Sequence, residues 1–164
     1  MRNTVILSLG SNIEPREYYI RSAVYLVKDF MNVLKVSSLY ESKPWGVLEQ
    51  NNFYNVSLIG ITRLNVWELF RRIKEVERNL GRVERFRWGP REIDIDIIYY
   101  GNLMLKTSIL TLPHIHRLER SFVIIPTFEI AYDFVDPEYK LPISKIVKKF
   151  LGDSSITLLR SKFL

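Results

Sequence analysis

Hydrophobic and polar positions alternate in several stretches of the chain, and this two-residue period predicts β-strands. An apolar run at residues 4–9 ends at Gly10-Ser11-Asn12, and alternating patterns follow at 33–41 and 53–62. A fourth alternating stretch, Ile93 to Tyr100, interleaves isoleucines with Asp94 and Asp96. Four strands are therefore expected.

Two stretches between these strands have the helical period instead. The first begins after Pro15, which suits a first helical turn, and is expected to end near Asp29 to Asn32. Its apolar positions recur at helical spacing: Ile20, Ala23, Val24, Val27 and Phe30. The second begins at Asn65, a good N-cap with Glu68 three residues later, and continues to Leu80.

The predicted order β-α-β-β-α-β is that of a ferredoxin-like α+β sandwich, whose two helices cover one face of the sheet. The remainder, residues 106–164, is less regular and is expected to form a C-terminal extension. It includes a short helix near 118–125, a helical turn at 126–131, a helix at 143–151 and an edge strand at 156–159.

The Asp94 to Asp96 pair is the strongest chemical signal in the chain. Residues two apart on a strand project from one face with Cα atoms roughly 7 Å apart, so both carboxylates can reach one cation or two adjacent cations. Two acids on a wet sheet face would be the simpler interpretation. However, Asp is depleted in strands, and four arginines precede the pair, at 82, 85, 87 and 91. This combination favours a site for a metal and a polyphosphate.

Composition and charge narrow the class of protein. The 164 residues suffice for one domain, taken as 1–164, and 47% apolar with 26% charged residues is typical of a soluble globular protein. No cysteine is available for disulfides or thiolate metal sites. No membrane span or secretory signal is found, so a cytoplasmic protein is expected. The net charge of +6 favours anionic partners, either nucleic acid or a small phosphorylated ligand.

At this point the motifs resemble those of the 6-hydroxymethyl-7,8-dihydropterin pyrophosphokinase family. Arg87 to Ile98 is similar to the family signature. Further similar segments occur in the expected order along nearly the whole chain: residues 9–12, 36–46, 53–55, 80–82, 112–114, 120–122 and 128–131.

The resemblance implies transfer of a diphosphate from ATP, the co-substrate, to the hydroxymethyl group of the pterin. It implies that Asp94 and Asp96 hold two Mg²⁺ ions and that Arg82 and Arg91 are catalytic. It also implies that His114 and Arg120 contact the triphosphate and that Trp88 is the family's loop tryptophan. Trp88 and Glu77 are predicted with these two as ATP-binding residues. Glu77 lies at the edge of the apolar face of its helix, so a half-exposed helix-end charge is the alternative.

For the pterin, the resemblance implies stacking by Phe53 and Phe122 and recognition of the polar edge by Asn55. Ser42 and Trp45 are expected to line the same pocket. Aromatic residues are more commonly core, and only the family match selects these. Two departures are clear: Ile115 replaces a residue that is often polar, and the short arginine loop leaves Arg85 and Arg87 unaligned.

Two other functions fit the fold. RNA-recognition domains share it, but Asp94 and Asp96 would repel a phosphate backbone, so no nucleic-acid partner is expected. A different two-metal enzyme would use paired aspartates yet leaves the pterin pocket unexplained. The expected partners are two small molecules, ATP and the pterin, with no membrane association, and the expected state is a monomer.

Overall fold

The computed structural model describes residues 1–164 and contains an antiparallel sheet flanked by helices. Its strands are β1 (Asn3–Ser11), β2 (Asn32–Val36), β3 (Leu39–Ser42), β4 (Phe53–Thr62), β5 (Asp94–Tyr100), β6 (Leu105–Lys106), β7 (Thr111–Leu112) and β8 (Ile156–Arg160). Its helices are α1 (Arg16–Val27), α2 (Val66–Asn79), α3 (Ser121–Ala131) and α4 (Ile143–Ile146), the last continued by a 3₁₀ turn at Val147–Phe150. No helix has both the length and the apolar character that crossing a membrane requires.

The main sheet has the order β5-β1-β4-β3-β8, and β2 pairs with β4 beside β3. All pairings are antiparallel, and β6 and β7 form a separate two-stranded ribbon. The four predicted strands and the predicted edge strand are therefore present. β4 has the predicted bounds.

The sheet separates two apolar clusters. Alternate residues of β1 and β5, including Val5, Leu7 and Ile95, pack with α1 and α2. Ile6 and Ile98, on the opposite face, pack with α3 and α4. The helices of the C-terminal half therefore cover part of the face that the sequence left open. The rest of that face is polar and carries the candidate site.

α2 forms as its sequence predicts. The Asn65 side chain accepts hydrogen bonds from the backbone N–H groups of Trp67 and Glu68, and the Glu68 carboxylate accepts one from the Asn65 N–H. This capping box fixes where the helix begins. Leu69 and Ile73 then face the core, and both are fully buried.

Several element boundaries differ from the prediction. β1 extends over Asn3–Ser11, and only Ile143–Ile146 of the helix predicted at 143–151 is α-helical. α1 ends at Val27, before the predicted Asp29 to Asn32. The predicted strand 33–41 is two strands, because Ser37 and Ser38 leave the ladder. The two helical segments predicted at 118–125 and 126–131 are one helix that begins at Ser121 and continues through Pro126.

The break between β2 and β3 depends on distant partners. The Ser38 N–H and hydroxyl donate to the Glu129 carboxylate on α3 at 2.9 and 2.8 Å. The Ser37 N–H donates to the Ser57 carbonyl. Hydrogen bonds between residues as far as 91 positions apart thus replace the ladder here, and no local pattern reports them.

Candidate active site

A cavity of about 210 Å³ opens on the polar part of the sheet, where β1, β4 and β5 adjoin. Register places Asp96 opposite Ser8, and Gly10 between Asp94 and Asn55, so these residues share one face. Eleven of the thirteen predicted site residues line the cavity: Ser42, Trp45, Phe53, Asn55, Trp88, Arg91, Asp94, Asp96, His114, Arg120 and Phe122. Sequence reasoning missed four lining residues: Ser8, Gly10, Lys43 and Gly89.

The two aspartates have different surroundings. Asp94 accepts a hydrogen bond from Arg82 Nη1 at 2.9 Å and one from Arg91 Nη1 at 2.7 Å. Burial opposes ionisation of Asp94, but the charges of Arg91 and Arg82 outweigh it and hold its pKa below the usual value. Each carboxylate oxygen of Asp94 therefore already has a cationic partner.

Asp96 has no partner within hydrogen-bond distance. The nearest groups to its Oδ2 are His114 Nε2 at 3.7 Å and Arg120 Nη1 at 3.8 Å. Burial and the neighbouring charge of Asp94 raise the pKa of Asp96 to about 6. An uncompensated carboxylate beside a paired one is a place where an added cation would be stabilised.

The donor set fits a hard cation that brings ligands of its own. No group of three or more His, Cys, Asp or Glu side chains is arranged to hold a metal. Two carboxylates are nevertheless enough for Mg²⁺, which typically takes one or two from protein and completes its shell with water and substrate phosphates. Asp94 and Asp96 fit that role, with Asp96 the more available.

Arg120 presents an unused donor to the cavity. Its Nε is buried without any acceptor, and its side chain is only 11% exposed. The guanidinium carbon lies 4.5 Å from the Trp45 ring centroid and 5.7 Å from that of Phe122. A buried N–H without a partner is costly, so an anionic ligand that accepts from it would be favoured.

His114 is arranged as a neutral hydrogen-bond donor. Its Nδ1 accepts from the His116 backbone N–H at 3.2 Å, which leaves the ring proton on Nε2, directed towards Asp96. Burial, with the charge of Arg120, lowers the pKa of His114 to about 4, so the ring is uncharged at neutral pH. This geometry leaves Nε2–H of His114 available as a hydrogen-bond donor, and its role towards a ligand stays a prediction.

Aromatic and amide groups gather at the other end of the cavity. Asn55 is 2% exposed, and its Nδ2 donates to Ser42 Oγ at 2.8 Å. Phe53 and Phe122 also line the cavity. At Gly10 a Cβ would lie 3.3 Å from Asn55 Oδ1, so the absence of a side chain keeps that amide oxygen uncrowded.

Two loops close over this end. Trp45 and Trp88 meet edge to face with ring centroids 5.4 Å apart, and a Cβ at Gly46 would lie 2.8 Å from the Trp88 ring. Gln50 donates to the Trp88 carbonyl at 2.8 Å. Loop residues 43–52 and 83–91 are therefore held together in this conformation.

The structure places the two unaligned arginines. Arg85 forms a bidentate pair with Glu92, at 2.7 and 3.0 Å. This pair lowers the pKa of Glu92 to about 2, chiefly through the hydrogen bonds from Arg85. The Arg87 guanidinium lies 4.4 Å from the Trp88 ring centroid. Neither arginine lines the cavity.

Glu77 and Arg82 stand outside the cavity lining. Glu77 is 2% exposed, and its Oε1 accepts the Ile95 backbone N–H of β5 at 2.7 Å. Its Oε2 accepts from Lys74 at 2.8 Å, and Oε1 also pairs with Arg82. Glu77 is thus buried rather than half-exposed, and it connects α2, β5 and the arginine that binds Asp94.

A second cavity, of about 310 Å³, adjoins the first and shares Asp96 and His114 with it. Its other lining residues come from α2, β5 and the segment around β7: Phe70, Lys74, Ile95, Ile97, Thr107, Ser108, Ile109, Leu110, Thr111 and Ile115. Sequence reasoning did not find this cavity, because no motif links these residues. Residues Thr107 to Thr111 reach the cavity because β6 and β7 pair and fold this segment back.

Comparisons with known proteins give a family match and several similar sequences. The family model described as 7,8-dihydro-6-hydroxymethylpterin-pyrophosphokinase (HPPK) matches residues 6–132. A 2-amino-4-hydroxy-6-hydroxymethyldihydropteridine pyrophosphokinase of Aquifex aeolicus is 43% identical over 142 residues, covering 87% of this chain and 89% of that protein. The protein of the same name from Haemophilus influenzae is 35% identical, covering 94% and 98%.

Some relatives are longer. The bifunctional protein FolKE of Lactococcus lactis subsp. cremoris is 41% identical, and the match covers 42% of its length. Among solved structures, wild-type Plasmodium falciparum HPPK-DHPS with pteroate has a TM-score of 0.76 at 13% identity. That match covers 93% of this chain and 45% of the other, and it shows a shared fold.

Proposed function

We propose how the candidate site acts in a chain that belongs to the 7,8-dihydro-6-hydroxymethylpterin-pyrophosphokinase family. The chain is an ATP-dependent pyrophosphokinase of folate biosynthesis that transfers the diphosphate of ATP to 6-hydroxymethyl-7,8-dihydropterin, with AMP as the other product. The role of each residue is the proposal. The observation that carries it is the convergence of eleven predicted residues from seven chain segments on one cavity.

The reaction needs positioning and charge stabilisation more than covalent chemistry. The pterin hydroxyl oxygen attacks the β-phosphorus of ATP, the bond from that phosphorus to the α,β-bridging oxygen breaks, and negative charge accumulates on the phosphate oxygens. We assign Arg82 and Arg91 to that charge, because a guanidinium remains ionised and binds phosphate oxygens in pairs. Both already contact the carboxylate of Asp94 at 2.9 and 2.7 Å.

Arg120 and His114 complete the anion site. The unpartnered Nε of Arg120 and the Nε2–H of His114 are donors without good acceptors in the structure. We assign both to the triphosphate. The neutral His114 ring can donate this hydrogen bond through Nε2–H, so the ring does not have to be protonated first.

Asp94 and Asp96 are the residues proposed to hold two Mg²⁺ ions. When bound, Mg²⁺ supplies Lewis-acid polarisation and neutralises phosphate charge. The pKa of Asp96 is raised to about 6 because burial and the charge of Asp94 outweigh the attraction of Arg120, which lies 3.8 Å away.

The pterin is proposed to occupy the aromatic end of the first cavity. Phe53 and Phe122 provide apolar faces for a flat bicycle, and Asn55 offers both a donor and an acceptor to its polar edge. Trp45 and Ser42 line the same end. Trp88, on the paired loop, is the lid residue that excludes water from the transferring group.

The nucleoside of ATP is proposed to occupy the second cavity. This cavity shares Asp96 and His114 with the first, so a ligand whose phosphates lie at the aspartates can extend its base there. Phe70, Ile97 and Leu110 provide apolar surface for the base. Under this proposal Glu77 does not touch the nucleotide. It holds Lys74, which lines the second cavity, and Arg82, which binds Asp94.

We propose that the core has the ferredoxin-like βαββαβ topology, for which the antiparallel order β5-β1-β4-β2 is the support. The assignment of residues 1–164 to one domain, the monomeric state and the cytoplasmic location stay predictions.

The test is product identification with paired variants. Wild-type protein incubated with ATP, Mg²⁺ and 6-hydroxymethyl-7,8-dihydropterin should release AMP only when the pterin is present. Release of ADP or cyclic AMP, or AMP formation without pterin, would contradict the proposal. Asp96→Ala should abolish turnover, and Arg85→Ala, outside the cavity lining, is the matched charged-loop control. Equal loss in both variants would refute the specific role of Asp96.

A further inference from the structure

Arg117 and Asp136 form a buried ion pair that the proposed mechanism does not use. Their side chains are 3% and 0% exposed. Asp136 lies beyond the matched family region, which ends at residue 132. Two desolvated charges are costly to retain unless their hydrogen-bond partners satisfy them fully, so such a pair invites a functional explanation.

Asp136 is fully satisfied as an acceptor. Its carboxylate accepts from Arg117 Nε at 2.7 Å and Nη2 at 3.1 Å, and from the Tyr99 hydroxyl at 2.8 Å. The backbone N–H groups of Glu138 and Tyr139 donate to its Oδ1 at 2.9 and 3.0 Å. Arg117 also donates to the Glu138 carboxylate at 2.6 Å. Two carboxylates of the segment 136–139 therefore fix the guanidinium through its Nε and Nη2.

The remaining arm of Arg117 is directed at the active site. Its Nη1 donates to the His114 carbonyl at 3.1 Å, as does its own backbone N–H. The His114 N–H donates to the Ile98 carbonyl of β5 at 3.0 Å. The His114 backbone is thus held at both ends, and its ring has one direction left, towards Asp96.

We propose that Arg117, locked by Asp136, is a positioning residue that sets the affinity for the triphosphate through His114. The segment 133–139 then contributes to nucleotide binding without contacting the nucleotide. The inference rests on the proposed role of His114 as a triphosphate donor.

The physical reason is the steep distance dependence of hydrogen bonds. His114 sits in a loop, so its ring would sample several positions if its carbonyl were released, and a donor displaced by about 1 Å loses most of its bond. Arg117 supplies a planar fork that one carboxylate can hold in place while a third N–H points elsewhere. A lysine would supply one point charge and no such arm.

The experiment is a double-mutant cycle on nucleotide binding. The dissociation constant of the non-hydrolysable analogue Mg²⁺–AMPCPP is measured by calorimetry for wild type, Arg117→Met, His114→Ala and the double variant. Each single variant should weaken binding about tenfold, and the double variant should bind no more weakly than His114→Ala. If the double variant instead weakened binding by the product of the two single effects, Arg117 would act independently of His114 and the proposal would be overturned. A change below twofold in the dissociation constant of Arg117→Met would also overturn it.

Two further variants separate positioning from stability. If Arg117→Met does not fold, the isosteric variant Asp136→Asn takes its place. It should weaken analogue binding in the same way, because it releases Arg117. Tyr99→Phe removes a hydrogen bond from the same carboxylate and leaves the Arg117 to His114 contact intact. It should lower the melting temperature without changing analogue affinity, and a parallel loss of affinity would refute the positioning role. Because binding is measured directly, the cycle remains decisive even if wild type released no AMP.

Discussion

Replacing Asp96 by Asn should stabilise the ligand-free protein while it abolishes turnover. Asp96 has no hydrogen-bond partner, lies two residues from Asp94 on the same strand face, and has a pKa raised from 3.8 to about 6 by burial and by the charge of Asp94. Its ionised form is therefore unfavourable in the folded state. Asn removes the charge and keeps the shape.

The sign and size follow from proton linkage. The folded protein binds the Asp96 proton more tightly than the unfolded chain does, so stability falls as pH rises from about 4 to about 6, and the full penalty is present above pH 6. A shift of about two pKa units corresponds to about 3 kcal/mol as an upper bound. The side chain is 29% exposed, so solvent screening reduces this to about 1–2 kcal/mol.

The assay is thermal unfolding in EDTA without nucleotide. At pH 8, Asp96→Asn should melt about 2 to 8 °C above wild type, and the difference should vanish near pH 4, where wild-type Asp96 is protonated. Added Mg²⁺ with AMPCPP should reverse the order, because only the wild type has both carboxylates for the ligand.

The matched control is Asp94→Asn, on the same strand face. The pKa of Asp94 is lowered, because Arg91 and Arg82 outweigh burial, so this substitution should destabilise the protein at pH 8. Opposite signs at two neighbouring carboxylates test the electrostatic argument itself. A lower melting temperature for Asp96→Asn at pH 8, or a gain that does not depend on pH, would refute it.

Three other predictions concern the loop, the sheet and the pterin pocket. Because hydrogen bonds from Arg85 lower the pKa of Glu92 to about 2, Glu92 should stabilise the fold above pH 4.5 and lose that effect as pH falls through 2. Glu92→Gln should therefore lower the melting temperature at pH 7 and lower it much less at pH 2.5. Gly60→Ala should cost about 1–3 kcal/mol by urea unfolding, because a Cβ would lie 2.6 Å from the Asn32 carbonyl oxygen. Asn55→Ala should weaken pterin binding about tenfold in calorimetry and change AMPCPP affinity less than twofold.

Local signals predicted the elements whose causes are local. The Asn65 to Glu68 capping box lies within four residues, and alternation along residues 53–62 needs no distant partner. The strand break at Ser37 and Ser38 was missed because Glu129, which accepts hydrogen bonds from Ser38, lies 91 residues away along the chain. Pro126 suggested a helix end, yet the helix continues because it lies buried against the sheet. Long-range packing decides such cases.

The candidate site likewise has parts that local sequence patterns predicted and parts that they did not. Asp94 and Asp96 were found from spacing on one strand, and most of the other site residues only from the family motifs. The second cavity combines Phe70 of α2 with a ribbon at 105–112, and the Arg117 to Asp136 pair joins residues 19 apart on either side of α3. Neither has a sequence pattern of its own, since each depends on where the C-terminal half folds back.

The electrostatic arrangement of the site indicates why its two kinds of ligand should bind together. In the ligand-free protein Arg82 and Arg91 both form ion pairs with Asp94, and neither arginine forms an ion pair with Asp96. A polyphosphate that binds the two arginines leaves Asp94 unpaired beside Asp96. The two aspartates then carry more uncompensated negative charge, so they bind a cation more tightly. A cation at the aspartates, in turn, releases the arginines towards phosphate. Each ligand thus removes the competitor of the other, and this reciprocal coupling follows because Arg82 and Arg91 both lie within 3 Å of the Asp94 carboxylate.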